Sequence, residues 1–312
     1  MRIRIRVPER LQEQLQPRFQ WLDAHTGGAV GIITGAYRNF ILMNGTESAA
    51  AMTYYAIFSL FPLLALLVIV ASLMVPADNI SSILGEYLSP VFPVSRDLID
   101  EIIARFVSVR TASGVVGAVT LLWSGSGVFV ILARNVNHAW QNARRRNFVQ
   151  GRLVALSTVG VLLGLLVLGM VASLVFGIIT RRLPMLFDGF DPHAPGVRLF
   201  ARFSPLGLAF LILLVAYRSL PTVPVLLSEA AWGALVVTLA WAVTSSLFSW
   251  YIGSGAANFD VIFGPLSALA VLMLWLYFNS MFIVLGAHIS AAVGRRNMER
   301  NQPAVTLPED ET

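Results

Sequence analysis

The sequence predicts an all-α integral membrane protein, a bundle of six transmembrane helices. Of the 312 residues, 56% are hydrophobic and only 12% are charged, about half the charge of a typical soluble domain. The mean hydropathy is +0.73. The 34 residues from Val261 to Gly294 include no Asp, Glu, Lys or Arg. Because about 20 apolar residues cross a bilayer core as a helix, this run is long enough to span a membrane.

Uncharged runs set the predicted domain organisation. The spans are expected at about 50–75, 113–140, 153–180, 200–218, 227–251 and 262–293. The fourth run, Phe203–Tyr217, has only 15 residues, so it spans only if the flanking arginines extend to the interfaces. A membrane domain at 48–294 thus follows a cytoplasmic segment at 1–47 and precedes a tail at 295–312 that is predicted to be disordered.

Two further helices are predicted outside the spans. Apolar residues in 29–43 recur at near-helical spacing, which indicates an N-terminal interfacial helix on the inner surface. In the first outside loop, residues 97–107 alternate apolar and charged faces, which predicts an amphipathic periplasmic helix. That helix is expected to lie on the outer leaflet or over the mouth of the bundle, with self-association as a third alternative.

The arginines set the orientation. All 22 basic residues are Arg, and with six spans 15 of them fall on the side of the two termini and seven on the other. Short basic loops remain cytoplasmic, so both termini are predicted to be cytoplasmic. The net charge of +5 comes from clusters at membrane edges. This distribution favours anionic lipid headgroups as partners and no nucleic acid.

The most informative polar stripe follows the second span. Asn137 and His138 follow Arg134 by three and four residues, so a continuing helix shows them on one face. Arginine with Asn and His suits an anionic headgroup. A solvated helix end with an extended Arg side chain is the alternative.

Other candidate substrate-binding residues lie on different helices. They are Tyr54, Tyr55 and Ser59 on the first span, Arg218 and Glu229 at the two ends of the fourth loop, Asn258 and Asp260 between the last two spans, and Asn279 and His288 on the last span. Arg218 and Glu229 are placed to pair across their loop. The alternative for Asn258 and Asp260 is helix capping. For Asn279 it is an interhelical contact, and for His288 a bond to a carbonyl of a neighbouring helix.

Small residues indicate how the spans pack. Gly160, Gly164, Gly169, Ser173 and Gly177 repeat at intervals of four or five residues. Backbones approach closely along such a face. Packing within the bundle is favoured, and a homo-oligomer through this face is the alternative.

Two spans carry residues that interrupt helices. Gly125 and Gly127 lie within the second span and Pro62 within the first. Both helices are therefore expected to be kinked or locally open.

Catalytic and cofactor signatures are not found in the sequence. His25, His138, His193 and His288 are far apart, without an acidic cluster near any of them. Metal-dependent hydrolysis of RNA needs clustered ligands. There is also no Cys, P-loop or dinucleotide fingerprint. We therefore expect a non-enzyme without a metal or cofactor.

A series of residues along the membrane domain matches a known family. They are Tyr54, Tyr55, Ala56, Ser59, Leu60, Phe61 and Pro62, then Asn137, Trp140, Phe148, Arg152 and Leu153, then Tyr217, Leu220, Pro221, Ala231, Gly233, Phe248 and Tyr251, then Gly264, Trp275, Tyr277, Leu285, Gly286 and Ala287. In these the chain resembles the YihY/BrkB family of bacterial inner-membrane proteins, once labelled ribonuclease BN. It departs at Phe263, where the family usually has Tyr, and at His288, where Glu usually follows Gly-Ala.

The resemblance implies a multi-pass protein of the bacterial inner membrane, associated with envelope integrity or virulence and with proposals of lipid transport. Together with the basic stripe it predicts a transporter or flippase-like protein for an anionic, lipidic substrate. A scaffold protein of the envelope that transports nothing is the alternative. A membrane-embedded enzyme ranks last, because the sequence lacks the clustered metal ligands that a ribonuclease would need.

Overall fold

Eight α-helices account for most of the chain that is described. The computed structural model describes residues 28–72, 101, 103–105, 114–140, 143–186, 195–254 and 263–301. The helices are α1 (Ala29–Leu42), α2 (Gly45–Ser72), α3 (Gly114–Gly125), α4 (Gly127–His138), α5 (Phe148–Leu186), α6 (Pro195–Ser219), α7 (Leu227–Gly253) and α8 (Ser267–Asn301), and a 3-10 turn at Gly264–Leu266 precedes α8.

Five helical stretches are long and apolar enough to cross a membrane. They are Gly45–Ser72, Val119–His138, Phe148–Gly169, Leu227–Gly253 and Ser267–Glu299. The predicted all-α integral membrane protein is therefore confirmed. The fourth predicted span corresponds to Pro205–Ser219, which is a shorter apolar helix. Its crossing, and with it the total of six spans, stays a prediction.

The second span is interrupted between α3 and α4. Ser126 separates the two helices, and its hydroxyl donates to the carbonyl of Trp123 at 2.7 Å. Across the interface, the buried Ser59 of α2 accepts the backbone N–H of Val128 at 3.1 Å. A Cβ at Gly127 would lie in ordinary contact, 3.4 Å from the Ser59 hydroxyl, so this approach does not depend on glycine. The first span is a single helix through Pro62.

The best-packed region joins α6, α7 and α8. The Tyr217 side chain of α6 is fully buried, and its hydroxyl donates to the carbonyl of Ile283 at 2.7 Å. A Cβ at Gly286 would lie 2.2 Å from Val237, and one at Gly233 would lie 2.6 Å from the carbonyl of Gly286. Side chains cannot occupy these positions without moving the helices. Both glycines therefore let α7 and α8 pack backbone to backbone.

Helix α1 packs along α8 with one face. Ala36 and Phe40 are buried against α8, whereas Tyr37 and Ile41 on the other side are exposed. A Cβ at Gly45 would lie 2.3 Å from the Phe40 ring, so the turn into α2 closes around that ring. This arrangement agrees with an amphipathic helix, and its position at the membrane surface stays a prediction.

Parts of the predicted organisation lie outside the described residues. These include residues 1–27 of the N-terminal segment and 302–312 of the tail. Of the amphipathic helix at 97–107, only 101 and 103–105 are described. There Ile103 is buried, while Arg105 donates to exposed Glu101 at 2.7 Å.

Candidate anion-binding groove

A cavity of about 920 Å³ lies along one face of α4, between α2 and α5. Its aromatic and basic lining residues include Tyr55 from α2, Arg134 and His138 from α4, Arg145 and Arg146 from the following loop, and Arg152 from α5. Among the lining residues that the structure describes, four are arginines and none is Asp or Glu. We call this cavity the arginine groove.

The predicted stripe on α4 forms part of the groove wall. Arg134 and His138 are one helical turn apart, and both are exposed and line the cavity. None of the described residues forms a hydrogen bond or an ion pair with the Arg134 guanidinium. Arg134 is exposed and lines the cavity, so its donors are available to an anion there.

Asn137 has a structural role that the sequence pattern did not indicate. The side chain is buried, and its amide N–H donates to the carbonyl of Arg144 at 2.9 Å. Its amide oxygen accepts the backbone N–H of Thr222 at 2.8 Å and the Thr222 hydroxyl at 3.0 Å. Asn137 thus ties the arginine-bearing loop at 143–147 to the loop after α6. These bonds occupy the amide oxygen and one of the two amide N–H groups, and Asn137 is also among the residues that line the cavity, so its second N–H remains available to a ligand.

Two arginines of the groove are held by neutral groups. Arg152 lies over the Trp123 ring, with its guanidinium carbon 4.0 Å from the ring centroid, and donates to the Trp123 carbonyl. Arg146 donates to the carbonyl of Pro221 at 3.5 Å. Partial burial lowers the pKa of the Arg146 guanidinium from its ordinary value by desolvation, and an arginine still keeps its charge at neutral pH. No carboxylate among the described residues neutralises either side chain.

The candidates on α2 divide into three roles. Tyr55 lines the groove, and Tyr54 packs edge-on against it with ring centroids 5.6 Å apart. Tyr54 is 59% exposed and also contacts Phe58 at 4.8 Å. These rings form an aromatic row from the groove to the outer surface of α2. Ser59 is only 2% exposed and bonds to α4, so it supports the helix interruption and is not accessible to a ligand.

The expected pair between Arg218 and Glu229 is wrong for the structure described. Arg218 is exposed at the end of α6, whereas Glu229 is buried at the start of α7. The Glu229 carboxylate accepts the backbone N–H of Leu226 at 3.0 Å and the side-chain amide of Asn297 at 3.2 Å. A carboxylate at a helix N-terminus is stabilised by the unpaired amides there. Glu229 therefore caps α7 and contacts α8.

The polar residues of α8 lie away from the groove lining. Asn279 donates to the carbonyl of Trp275 in its own helix at 2.7 Å, and among the described residues it forms no hydrogen bond to another helix. His288 is 3% exposed, and the edge of its ring packs with Phe40 at 6.0 Å. The described residues offer its Nδ1 atom no hydrogen-bond partner. Between α2 and α8, Thr53 donates to Ser280 at 3.4 Å. Asn258 and Asp260 lie outside the described residues.

The small-residue face of α5 is not used as expected. A Cβ at Gly160 or Gly164 would have no atom of the described chain within 4 Å, and one at Gly169 would lie 3.8 Å from Leu208. The first two glycines therefore make no close contact with another helix of the part of the chain that the structure describes. For Ser173 and Gly177 only the backbone is described. A homo-oligomer through this face stays a prediction.

Sequence reasoning missed Thr222, and it included Arg152 only in the family match. Thr222 follows Pro221 in a loop, and nothing in its spacing indicates a partner 85 residues away. Arg152 lies one turn after the start of α5 and directly before the uncharged run that begins at Leu153. An arginine at the edge of a span is a weaker signal for a functional group than one within it, because its side chain can extend to the interface. Among the described residues, no group of three His, Cys, Asp or Glu side chains is arranged to hold a metal ion.

Comparisons with known proteins agree on one family. Residues 36–308 match the family model described as virulence factor BrkB. The chain is 28% identical over 268 residues to a Bacillus subtilis protein named putative ribonuclease-like protein YfkH. The aligned region covers 83% of this chain and 94% of the Bacillus protein. It is 26% identical over 251 residues to a UPF0761 membrane protein of Mannheimia succiniciproducens, and this region covers 80% of this chain and 84% of that protein. A UPF0761 membrane protein of Vibrio campbellii is 25% identical over 253 residues, with 80% and 77% covered. No solved structure matches the chain.

Proposed function

Since the chain belongs to the virulence factor BrkB family and is a multi-pass membrane protein, we propose that its arginine groove binds an anionic, lipidic substrate and moves it across the membrane. The groove is the observation that carries the proposal. It brings four guanidinium groups to one cavity, and the described part of its lining has no carboxylate. Charge-assisted bonds from arginine are the strongest recognition available for phosphate.

Access from the side of the bundle supports a lipid as the substrate. Tyr55 lines the groove, and the aromatic row through Tyr54 leads to Phe58, which is 64% exposed. On the opposite wall Phe148 both lines the groove and is largely exposed. Exposed rings on apolar helices of this length face hydrocarbon or the interface. An acyl chain can therefore remain among these rings while its headgroup occupies the groove.

The proposal includes a location and an orientation. We place the chain in the bacterial inner membrane with both termini cytoplasmic, because most arginines lie on that side of the predicted topology. The groove then opens at the inner leaflet, near the C-terminal end of α4. Movement of an anionic lipid from this site would contribute to envelope integrity.

A structural role without transport is the second candidate. The backbone contact of α7 with α8 through Gly233 and Gly286, with Tyr217 buried beside it, favours a rigid bundle. We also propose that the protein is not a nuclease. The name of the Bacillus relative suggests such an activity, but the described residues offer no cluster of metal ligands.

Reconstitution into liposomes separates these functions. Phosphatidylcholine vesicles with a trace of fluorescent phosphatidylglycerol are treated with an impermeant quencher, which bleaches only the outer leaflet. We expect loss of the protected signal with the protein and retention in empty vesicles. Replacing either Arg134 or Arg145 alone with Gln should slow the loss by about tenfold or more, since each charge-assisted bond contributes about 1.5–3 kcal/mol.

Arg218→Gln provides the matched control. It removes the same charge from an exposed arginine that does not line the groove, so its rate should equal that of the unmodified protein. Protected fluorescence identical to that of empty vesicles, with the label still binding in an Arg134-dependent way, would favour the structural role. Absence of binding would remove the groove from either function.

A further inference from the structure

The arginine groove has two levels of positive charge along α4. At one level Arg134 lies near the C-terminal end of the helix, together with Arg145 and Arg146 of the next loop. At the other level Arg152 donates to the carbonyl of Trp123, just before α4 begins at Gly127. The seven residues from Gly127 to Arg134 correspond to about 10 Å of helix. The guanidinium groups are therefore spread along the groove.

One phosphodiester cannot neutralise this set. It carries a single negative charge, whereas the described lining contributes four positive charges and no negative one. The partners that hold Arg146 and Arg152 are carbonyls and a ring, which leave the charge unbalanced. Like charges that line one cavity repel one another. A ligand with a second anionic group at the level of Arg152 reduces this repulsion.

We infer that the groove selects a lipid whose headgroup carries two phosphate groups, one bound at Arg134 and Arg145 and the other at Arg152. This inference rests on the proposed function and names its substrate class. Basic pockets between membrane helices are a general site for lipids of this kind. A volume of about 920 Å³ holds such a headgroup and the start of its chains. The aromatic row gives the acyl chains a path to the bilayer.

Native mass spectrometry of the purified full-length protein tests the inference with defined lipids. The protein is titrated with an equimolar mixture of cardiolipin, which has two phosphodiesters, and phosphatidylglycerol, which has one. We expect at least tenfold preference for cardiolipin, because the second phosphate gains a charge-assisted bond to Arg152. Equal affinity for the two lipids would overturn the inference.

Variants assign each phosphate to its level. Arg152→Gln should reduce cardiolipin affinity about tenfold and leave phosphatidylglycerol affinity unchanged within twofold, and Arg152→Lys should restore part of the difference. Arg144→Gln is the matched control, since this exposed arginine of the same loop does not line the groove. Its affinities for both lipids should not change. If Arg144→Gln weakened cardiolipin as much as Arg152→Gln, the selectivity would be a general charge effect and the inference would fail.

The same titration distinguishes failure of the inference from failure of the proposed function. Binding of both lipids with equal affinity, lost on Arg134→Gln, keeps the anionic site and removes the two-phosphate selectivity. Binding that no groove variant affects removes both. Thermal unfolding of each variant identifies a fold defect, and Arg152→Lys then supplies the test with the charge retained.

Discussion

Gly286→Ala is expected to destabilise the bundle strongly, although it adds one methyl group. The new Cβ would lie 2.2 Å from Val237 and 2.5 Å from the Tyr217 hydroxyl. Carbon atoms need about 3.5–4.0 Å, so α7 or α8 must shift by more than 1 Å. Such overpacking costs about 1–3 kcal/mol. Loss of the bond from Tyr217 to the Ile283 carbonyl adds about 1 kcal/mol.

Helix propensity opposes this cost only in part. Alanine is better than glycine in a helix by about 0.8–1.0 kcal/mol. The net loss should therefore be about 1–3 kcal/mol. Gly160→Ala is the matched control, because the same substitution there would have no atom of the described chain within 4 Å and should be neutral or stabilising.

Unfolding of the detergent-solubilised variants, followed by tryptophan fluorescence against temperature or denaturant, measures the difference. Gly286→Ala should unfold well before the unmodified protein, and Gly160→Ala should unfold with it or after it. Equal stability of the two alanine variants would refute the contact between α6, α7 and α8 as described.

Three further expectations concern the groove and the exposed face of α5. Thr222→Val removes the hydroxyl that bonds to Asn137. We expect weaker binding of anionic lipid, which Thr222→Ser restores. Unchanged affinity in a lipid titration would contradict a role of Thr222 in positioning the loop at 143–147. Ser59→Ala leaves the Val128 N–H without its acceptor and should lower the free energy of unfolding by about 1–3 kcal/mol, with lipid affinity unchanged within twofold. Because the chain has no cysteine, a single Gly160→Cys variant reports directly on oligomerisation in membranes. If copies pack through the small-residue face of α5, oxidation yields a crosslinked dimer, whereas the exposed control Val243→Cys does not crosslink. Equal crosslinking of both variants would argue against an oligomer through this face.

Composition and periodicity were sufficient for the fold class. Long uncharged runs have few alternatives to membrane helices, and five helical stretches that are long and apolar enough to cross a membrane overlap these runs. The interruption at Ser126 follows from two glycines in one turn. In contrast, Pro62 does not break α2, because a helix tolerates one missing N–H when its neighbours pack around it.

The site was predicted only in part, because side-chain partners depend on tertiary contacts. The spacing of Arg134 and His138 correctly put both on one face of α4. The same spacing grouped Asn137 with them, yet its amide joins two loops that are distant in the sequence. Glu229 is close to Arg218 along the chain but turns to Asn297 of α8. A single sequence does not indicate which of these long-range hydrogen bonds form.

Arg152 gives the strongest physical reason to assign a ligand to the groove. A charged side chain costs about 2.5–3.5 kcal/mol at the centre of a membrane helix, and it costs less at Arg152, which lies one turn after the start of α5. Stacking on Trp123 contributes about 0.5–2 kcal/mol, and the bond to the Trp123 carbonyl offsets more of the cost. These contacts hold the guanidinium in place but leave its charge uncompensated by the described lining. An apolar residue of similar length would make the same span without that cost, as replacement of buried ionic groups by apolar ones often shows. A bound anion supplies the missing compensation, and it converts the free energy stored in this charge into affinity for the substrate.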